Sequence, residues 1–459
     1  MKPRILLINS PSRVLSEPPR WFPYGIAMVD AILNKEGYKV DHFNGDFQEL
    51  SDLEKMVREK TYDIVGMGGL VTTFRYQEKA AQIVRKHNQD ALVISGGGLG
   101  SAIPTEILDM IPELDVVVLG EAEQTIAGIV EASRDRGVLS RIPGLVIRNG
   151  ERYVRTGTST FIKNLDAIPF PVWENWSIDS YFRNGSFPLS PCVERARRRV
   201  STLISRGCPF SCDFCYNSLG RRTYRHRSAE NVVEELEELR KRFGIDFIAF
   251  LDEEFLIDKK NVLRFTELMK QKGLQTIAWA MATRSTSVRR DLLDELKSAG
   301  CDFIFYGFDS GSERMLKYMD KKMTTGDNFE AFVMTVEAGI HAVPNIIIGY
   351  DTETPESIQE NYAFFQRLID YGRKIKDPEL KARFERSFNN FGEIYFATPY
   401  PGTELYIRNR AKIGDLRSFL ERISFRDAYE LTANCSDIGD NDLIAEKVRM
   451  TDFVKSFRF

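Results

Sequence analysis

The first 130 residues alternate short apolar runs with amphipathic stretches. The runs fall at 4–8, 38–42, 64–67, 91–95 and 115–119, and β-branched residues dominate most of them. Between them, residues 26–36 and 76–87 place apolar positions three and four apart, the period of a half-buried helix. Strands alternating with helices predict a parallel sheet covered on both faces. In such sheets ligands bind at the carboxyl ends of the strands. The glycines fall there, with Gly68 and Gly69 after the third run, and Gly96, Gly97, Gly98 and Gly100 after the fourth. Glycine lets backbone approach a ligand closely, although glycine also serves plain turns.

The pattern then changes. Residues 145–148 and 153–155 flank Asn149-Gly150, the dipeptide of a tight hairpin turn. Pro169, Pro171, Trp173 and Trp176 follow in a stretch where proline prevents regular structure. From residue 199 the strand–helix alternation resumes. Strands are expected to begin near Val200, Phe247, Thr276, Phe303, Pro344 and Ile394, with Ser228 and Asp258 as helix N-caps. Six such units predict an incomplete β/α barrel, whose site should gather at the strands' carboxyl ends. Residues 371–390 form a charged insertion that reads as a surface helix, with a place at the substrate entrance as the sharper reading. Residues 411–459 carry no motif and are expected to pack as helices over the barrel mouth. The expected division is therefore 1–135, a linker at 136–198, a barrel at 199–410 and an extension at 411–459.

At 459 residues the chain is long enough for two or three domains. Lys and Arg total 63 and Asp and Glu 66, a net charge of −3. That balance argues against a dedicated nucleic-acid binder, which carries a basic excess. No apolar stretch is long enough to span a bilayer. A cytoplasmic, reducing setting is expected, because six cysteines in 459 residues are too sparse for a disulfide framework. The run Arg195, Arg197, Arg198 and Arg199 reads as a solvated face or as a contact for an anionic substrate group.

Half of the cysteines stand together. Cys208, Cys212 and Cys215 have the spacing C-x3-C-x2-C. Structural zinc wants a second Cys or His pair, whereas Cys192, Cys301, Cys435 and the four histidines are isolated. A cluster that only carries electrons normally takes four cysteines, and Cys192 is the one candidate for a fourth. Three thiolates can hold three irons of a 4Fe–4S cube and leave the fourth open. The cysteine run follows the first barrel strand, and polar residues follow the second, third, fourth and sixth: Asp252-Glu253-Glu254, Arg284, Asp309-Ser310, and 397–403.

The cysteine run, with the aromatic Phe214 just before its third cysteine, resembles the radical S-adenosylmethionine (SAM) superfamily. The resemblance implies that Cys208, Cys212 and Cys215 hold the cluster and that SAM binds the open iron through its amino and carboxylate groups. Reductive cleavage of SAM would then give a 5′-deoxyadenosyl radical, which abstracts hydrogen from an unactivated carbon. It further implies that Phe214, Asp252, Glu253, Glu254, Arg284, Asp309, Ser310 and Gly349 surround SAM. Asp309 stands where the family usually has glutamate, and 350–354 departs from its usual Pro-Gly-Glu-Thr-like run. An external one-electron reductant of flavodoxin or ferredoxin type and a small-molecule substrate are implied as partners.

The first 135 residues resemble the cobalamin-binding domain that precedes many radical SAM enzymes. The resemblance rests on Asn9-Ser10-Pro11, Pro23-Tyr24-Gly25, 62–66, Val71-Thr72-Thr73, Ser95-Gly96-Gly97 and 120–123. It implies a flavodoxin-like or Rossmann-like α/β domain. Pro23, Tyr24, Gly25, Gly68, Gly69, Val71, Thr72, Thr73, Gly96, Gly97, Gly98 and Glu121 would line the cobalamin site. The D-x-H-x-x-G motif of the methionine synthase type is absent, so histidine is not expected as a lower ligand to cobalt. Cobalamin-dependent methyl transfer to a small molecule is the expected activity. A radical rearrangement, cyclisation, dehydration or deoxygenation is the alternative, and a non-catalytic iron–sulfur protein is the reading from another class.

Overall fold

The computed structural model describes residues 2–11, 21–133, 135–184, 198–217, 223–392, 394–426 and 428–457. Cys192, Arg195 and Arg197 lie outside the described residues. The chain divides into two compact units. One comprises 1–186, 216–220 and 414–427, and the other 187–215, 221–413 and 428–459.

The first unit is built on β1 (Ile5–Asn9), β2 (Val40–Asn44), β3 (Ile64–Gly68), β4 (Leu92–Gly96), β5 (Val116–Val118), β6 (Leu145–Asn149) and β7 (Arg152–Arg155). They form one sheet in the order β2-β1-β3-β4-β5-β6-β7. The first five are parallel. β1 and β5 are buried throughout and β3 and β4 nearly so, which explains their near-continuous apolar runs. The helix Phe74–His87 buries Phe74, Gln77, Ala81 and Val84 on one stripe. Its last turn carries Arg85, Lys86 and His87, a favourable charge for a helix C-terminus. The hairpin β6–β7, expected in the linker, instead extends the sheet. Val116–Val118 pairs antiparallel with Leu145–Ile147, so β5 is not left as an open edge.

In the second unit β8 (Arg199–Thr202) leads to a two-residue ribbon, β9 (Ser205–Arg206) against β10 (Arg225–His226). β11 (Phe247–Phe250), β12 (Ala278–Thr283), β13 (Cys301–Asp309), β14 (His341–Ile348) and β15 (Ile394–Phe396) follow. These five and β8 make a wholly parallel sheet in the order β8-β11-β12-β13-β14-β15. Each strand is added beside its predecessor, so the sheet is a partial barrel left open between β15 and β8. Ser228 and Asp258 cap the helices Ala229–Phe243 and Lys259–Gln271, accepting from the amides of Asn231 and Asn261 at 3.1 and 2.9 Å. Phe250, Phe255, Phe265 and Trp279 pack with ring centroids 5.0–6.1 Å apart. They join the first strand–helix units into one core.

The charged insertion lies in the crossover from β14 to β15. Its helix Pro378–Asn389 is the expected surface helix, with Phe384, Ser387 and Phe388 turned inward and the other residues partly or fully exposed. One expectation changes here. The C-terminal extension does not act as one cover. The helix Leu416–Ile423 belongs to the first unit, where Phe425 donates its amide to the Thr72 carbonyl at 2.9 Å. The helix Asp440–Ser456 stays with the second unit and sets Leu443 against Gly349.

Candidate functional site

The cysteine loop leaves β9 through Gly207, whose φ is +83°. A Cβ there would lie 2.5 Å from the Thr223 carbonyl oxygen, so no other residue fits this turn. Cys212 is buried, and Cys208 and Cys215 are partly covered. Burial pushes the Cys208 thiol up to about 11 and the Cys215 thiol up to about 12, with the neighbouring cysteines adding to each shift. These are thiols that stay protonated unless a metal takes them, since metal coordination deprotonates cysteine. Among the described residues no three His, Cys, Asp or Glu side chains converge on a single-ion point. A cube asks for one thiolate at each of three separate irons and not for such convergence.

The acidic triplet after β11 holds backbone around this loop. Asp252 accepts from the amides of Ile204 and Ser205, at 3.2 and 2.5 Å, and from the Ser205 hydroxyl. Its burial raises the carboxyl to about 7 against those hydrogen bonds. Glu253 accepts from the Gly207 amide at 3.2 Å. Glu254 accepts from the Thr283 hydroxyl and, at 2.8 Å, from the Arg284 amide. Each carboxylate is thus engaged by protein, on either side of the cysteines.

Arg284 follows β12. Its guanidinium stacks 4.0 Å from the centre of the Phe210 ring, and Nη1 donates to Cys212 Sγ at 3.3 Å. The residue is 5% exposed, and neither Nε nor Nη2 has a hydrogen-bond partner among the described residues. A buried cation with two unfilled donors beside a cysteine fits an anionic group, a carboxylate or a sulfide-bearing cluster.

After β13 the backbone shifts register between Gly307 and Asp309, and Asp309 has φ +60°. Its carboxylate meets Lys321, and both are buried. The shorter aspartate is therefore already neutralised by a neighbour the sequence did not mark. Ser310 is buried beside Asn361, whose Oδ1 accepts from the Gly311 amide at 2.6 Å. Gly349, φ +82°, ends β14 and donates its amide to Glu353 Oε2 at 2.9 Å.

Sequence reasoning passed over the residues that pin the cysteine loop. Asp213 lies between the second and third cysteines. It accepts from the Tyr350 hydroxyl and, at 2.7 Å, from Arg408 Nη2. Arg408 also donates from Nε to Asp351 at 2.9 Å. The departure at 350–354 thus has a use: Tyr350 and Asp351 anchor the loop. Phe214 packs against Tyr350, with Lys321 over its ring at 5.7 Å. The only sequence signal was that Tyr350 and Asp351 broke an expected pattern.

In the first unit the expected residues occupy neighbouring strand ends. Gly97, φ +77°, would place a Cβ 3.0 Å from the Gly69 backbone, and Leu99 donates its amide to the Gly69 carbonyl. Tyr216, which belongs to this unit, donates its hydroxyl to the Gly98 carbonyl. The turn Val71–Thr73 is held from below. Ser95 donates to Gln77, Gln77 to Thr73, and Thr73 to the Leu70 carbonyl. Val71 and Thr73 are buried, and it is Leu70, unmarked by the sequence, that stands exposed. Tyr24 is buried against Trp173, Pro23 stands at the start of its helix, and Gly25 is exposed. Glu121 accepts from the Ile162 amide at 2.7 Å. Gly68, Gly69, Gly96 and Gly97 form an uncovered strip, with Leu70 raised beside it and Gly98 buried against Leu70 and Tyr216, which fits a large flat ligand, such as a corrin, laid across the strand ends.

The sequence pattern of the radical SAM superfamily matches residues 202–365, and that of the B12 binding domain residues 14–130. An uncharacterized methyltransferase of Pyrococcus horikoshii is 30% identical over 389 residues, 84% of this chain and 77% of that protein. The chain belongs to the radical SAM superfamily, among the enzymes that carry a B12-binding domain. An anaerobic magnesium-protoporphyrin IX monomethyl ester cyclase of Cereibacter sphaeroides is 28% identical, across 91% of this chain and 74% of that one. The radical SAM methyltransferase TsrM of Kitasatospora setae, solved with cobalamin and a [4Fe-4S] cluster, has the same fold. Its TM-score is 0.70 at 18% identity, over 91% of this chain and 79% of that one. The cofactors of this radical SAM enzyme are accordingly a 4Fe–4S cluster, SAM and cobalamin. Enzymes of the superfamily require a reductant and act on a small-molecule substrate. No helix among the described residues is long and apolar enough to cross a membrane.

Proposed function

We propose that this radical SAM enzyme transfers a methyl group to an unactivated carbon of a small molecule, in a cytoplasmic setting, with flavodoxin or ferredoxin as reductant. The likeness to the Pyrococcus methyltransferase carries the reading, since it spans both the B12-binding and the radical SAM segments. Bound here, the cluster and SAM supply a carbon radical by reductive cleavage, and cobalamin supplies a methyl carrier. Cys208, Cys212 and Cys215 are the ligands of the cluster in this reading, and Arg284 offers its free donors to SAM's carboxylate. Asp252, Glu253 and Glu254 position the backbone at residues 204–207 and 283–284 around those groups rather than spending both carboxylate oxygens on ligand. Asp309, paired with Lys321, and Ser310 face the ribose side in this reading, with Gly349 beside the adenine. Pro23, Tyr24, Gly25, Gly68, Gly69, residues 71–73, Gly96, Gly97, Gly98 and Glu121 belong to the cobalamin site, with Tyr24 and Glu121 acting as supports.

The test is product counting under anaerobic conditions with reductant, cobalamin and methyl-labelled SAM. Methyl transfer requires equal amounts of 5′-deoxyadenosine, S-adenosylhomocysteine and labelled product. Deoxyadenosine without homocysteine product refutes it. That outcome supports ring closure or another radical reaction without methyl transfer, a reading favoured by the likeness to the cyclase across 91% of the chain.

A further inference from the structure

Radical SAM chemistry starts with one electron arriving from outside the protein. Electron transfer through protein weakens exponentially with distance, so the donor must meet a surface from which a short, well-packed path leads inward. The second unit offers one. Phe214, inside the cysteine loop, meets Tyr350 edge-on with centroids 6.2 Å apart, and Tyr350 meets Tyr318 edge-on at 6.1 Å. Phe214 is half-buried and Tyr350 is wholly buried, whereas Tyr318 is 39% exposed. Two ring contacts therefore connect the cluster loop with solvent.

The surface around Tyr318 also carries cations. Arg408 lies over its ring at 5.2 Å, with its charge taken up by Asp213 and Asp351. Arg314 and Lys317 precede it on the helix Glu313–Tyr318, are exposed, and make no ion pair among the described residues. Arg314 spends its guanidinium on the Thr352 carbonyl, at 3.1 Å, and its charge also acts on Glu353 and Glu356 without an ion pair to either. Of the nearby acids, Asp320 pairs with Lys322 and Asp351 with Arg408, whereas Glu313 accepts from the amide and hydroxyl of Thr325 and keeps its charge; Lys317 is the exposed cation of this face that no described carboxylate pairs. Exposed cations around an exposed aromatic ring suit a protein with an acidic face around its redox group.

We propose that the face centred on Tyr318, with Arg314 and Lys317, docks an acidic one-electron carrier protein, and that its electron reaches the cluster through Tyr350 and Phe214. One electron leaves the reduced carrier and one arrives on the cluster, with no proton transferred. The proposal rests on the three cysteines holding the cluster, which iron content checks separately.

The experiment uses the full chain with its cluster reconstituted and reduced flavodoxin as the probe, first shown to reduce the wild type. Cluster bleaching is followed by stopped flow, with dithionite as a donor that needs no docking site. Lys317→Glu should slow reduction by flavodoxin about tenfold at low salt and flatten its salt dependence. Tyr318→Leu should slow the same step. Iron content and the dithionite rate should stay at the wild-type value in both. Unchanged flavodoxin rates in both variants overturn the proposal. So does an equal slowing with flavodoxin and dithionite, which would make these residues supports of the cluster and not an electron entrance. Loss of iron on Cys208→Ser substitution is the separate check on the ligands; iron retained there fails the cluster assignment and with it the route through Phe214, whereas iron lost there beside unchanged flavodoxin rates in the two surface variants fails the docking proposal alone.

Discussion

Arg408 is the residue on which the anchoring of the cysteine loop can be tested most directly. It bridges Asp213 and Asp351 from a helix nearly two hundred residues further along the chain. Replacing it with methionine keeps the apolar stem and removes both charge-assisted hydrogen bonds. Asp213, 7% exposed, then keeps only the Tyr350 hydroxyl. Breaking one side of a fully buried ion pair costs about 3–5 kcal/mol. The Arg408 side chain is 34% exposed and already partly screened, so about 2 kcal/mol is the reasonable scale. For a unit of this size that corresponds to a fall in Tm of roughly 4–8 °C. Arg408→Lys keeps the charge but reaches one carboxylate at a time, so it should fall between wild type and Arg408→Met. The assay is thermal unfolding of the metal-free chain, paired with the rate at which a chelator strips iron from the reconstituted one. Both should respond, because Asp213 sits between Cys212 and Cys215 in the chain. A methionine variant with wild-type Tm and wild-type iron loss would refute the anchoring role.

Three further outcomes follow from the same geometry. Serine at Cys208, Cys212 or Cys215 should abolish the reconstituted cluster's absorbance, read anaerobically against wild type, while leaving the fold intact by circular dichroism. Asp252 titrates near 7 in the fold against an ordinary value of 3.8, so the folded chain binds the extra proton between those values and stability falls as pH rises from about 4 to 7. The full effect is about 4 kcal/mol; the metal-free Tm should drop across that window, the drop should shrink in Asp252→Asn, and an identical pH profile in the two would refute the titration. Gly97→Ala forces a Cβ against Gly69 at positive φ and should cost about 1–3 kcal/mol, visible as weakened cobalamin retention in equilibrium dialysis while iron content is unchanged.

The central strands of both units were legible because their residues are buried on both faces and leave unbroken apolar runs, whereas β2 and β7 are only partly covered and carry polar residues. Even Pro344 did not conceal β14, which begins three residues before it at His341. The cysteine spacing and the glycine strip were legible because each is local in sequence. What stayed hidden was long-range. Lys321 reaches Asp309, Asn361 holds Gly311, and Arg408 holds Asp213, across separations that no periodicity marks. The acidic triplet was visible, but its partners were not. Its oxygens also hold the backbone at Ile204, Ser205, Gly207 and Arg284, contacts that the triplet by itself does not announce. The helix Leu416–Ile423 misled for a related reason: an amphipathic stripe declares that a helix packs, and not which sheet it packs with.

That helix bears on how the protein is made. Arg417 bonds Glu78 and the Met110 carbonyl, and Ser424 accepts from the Arg75 amide, so the first unit lacks part of its own surface until residue 427 has left the ribosome. Its first 186 residues must wait while about 240 more are added. At roughly 5–20 residues per second the delay is about 10–50 s, long enough for the unfinished helix face to meet chaperones or other nascent chains. Gene fragments that stop at the end of the first sheet should accordingly yield aggregation-prone protein. Supplying residues 414–427 as a separate peptide should restore solubility.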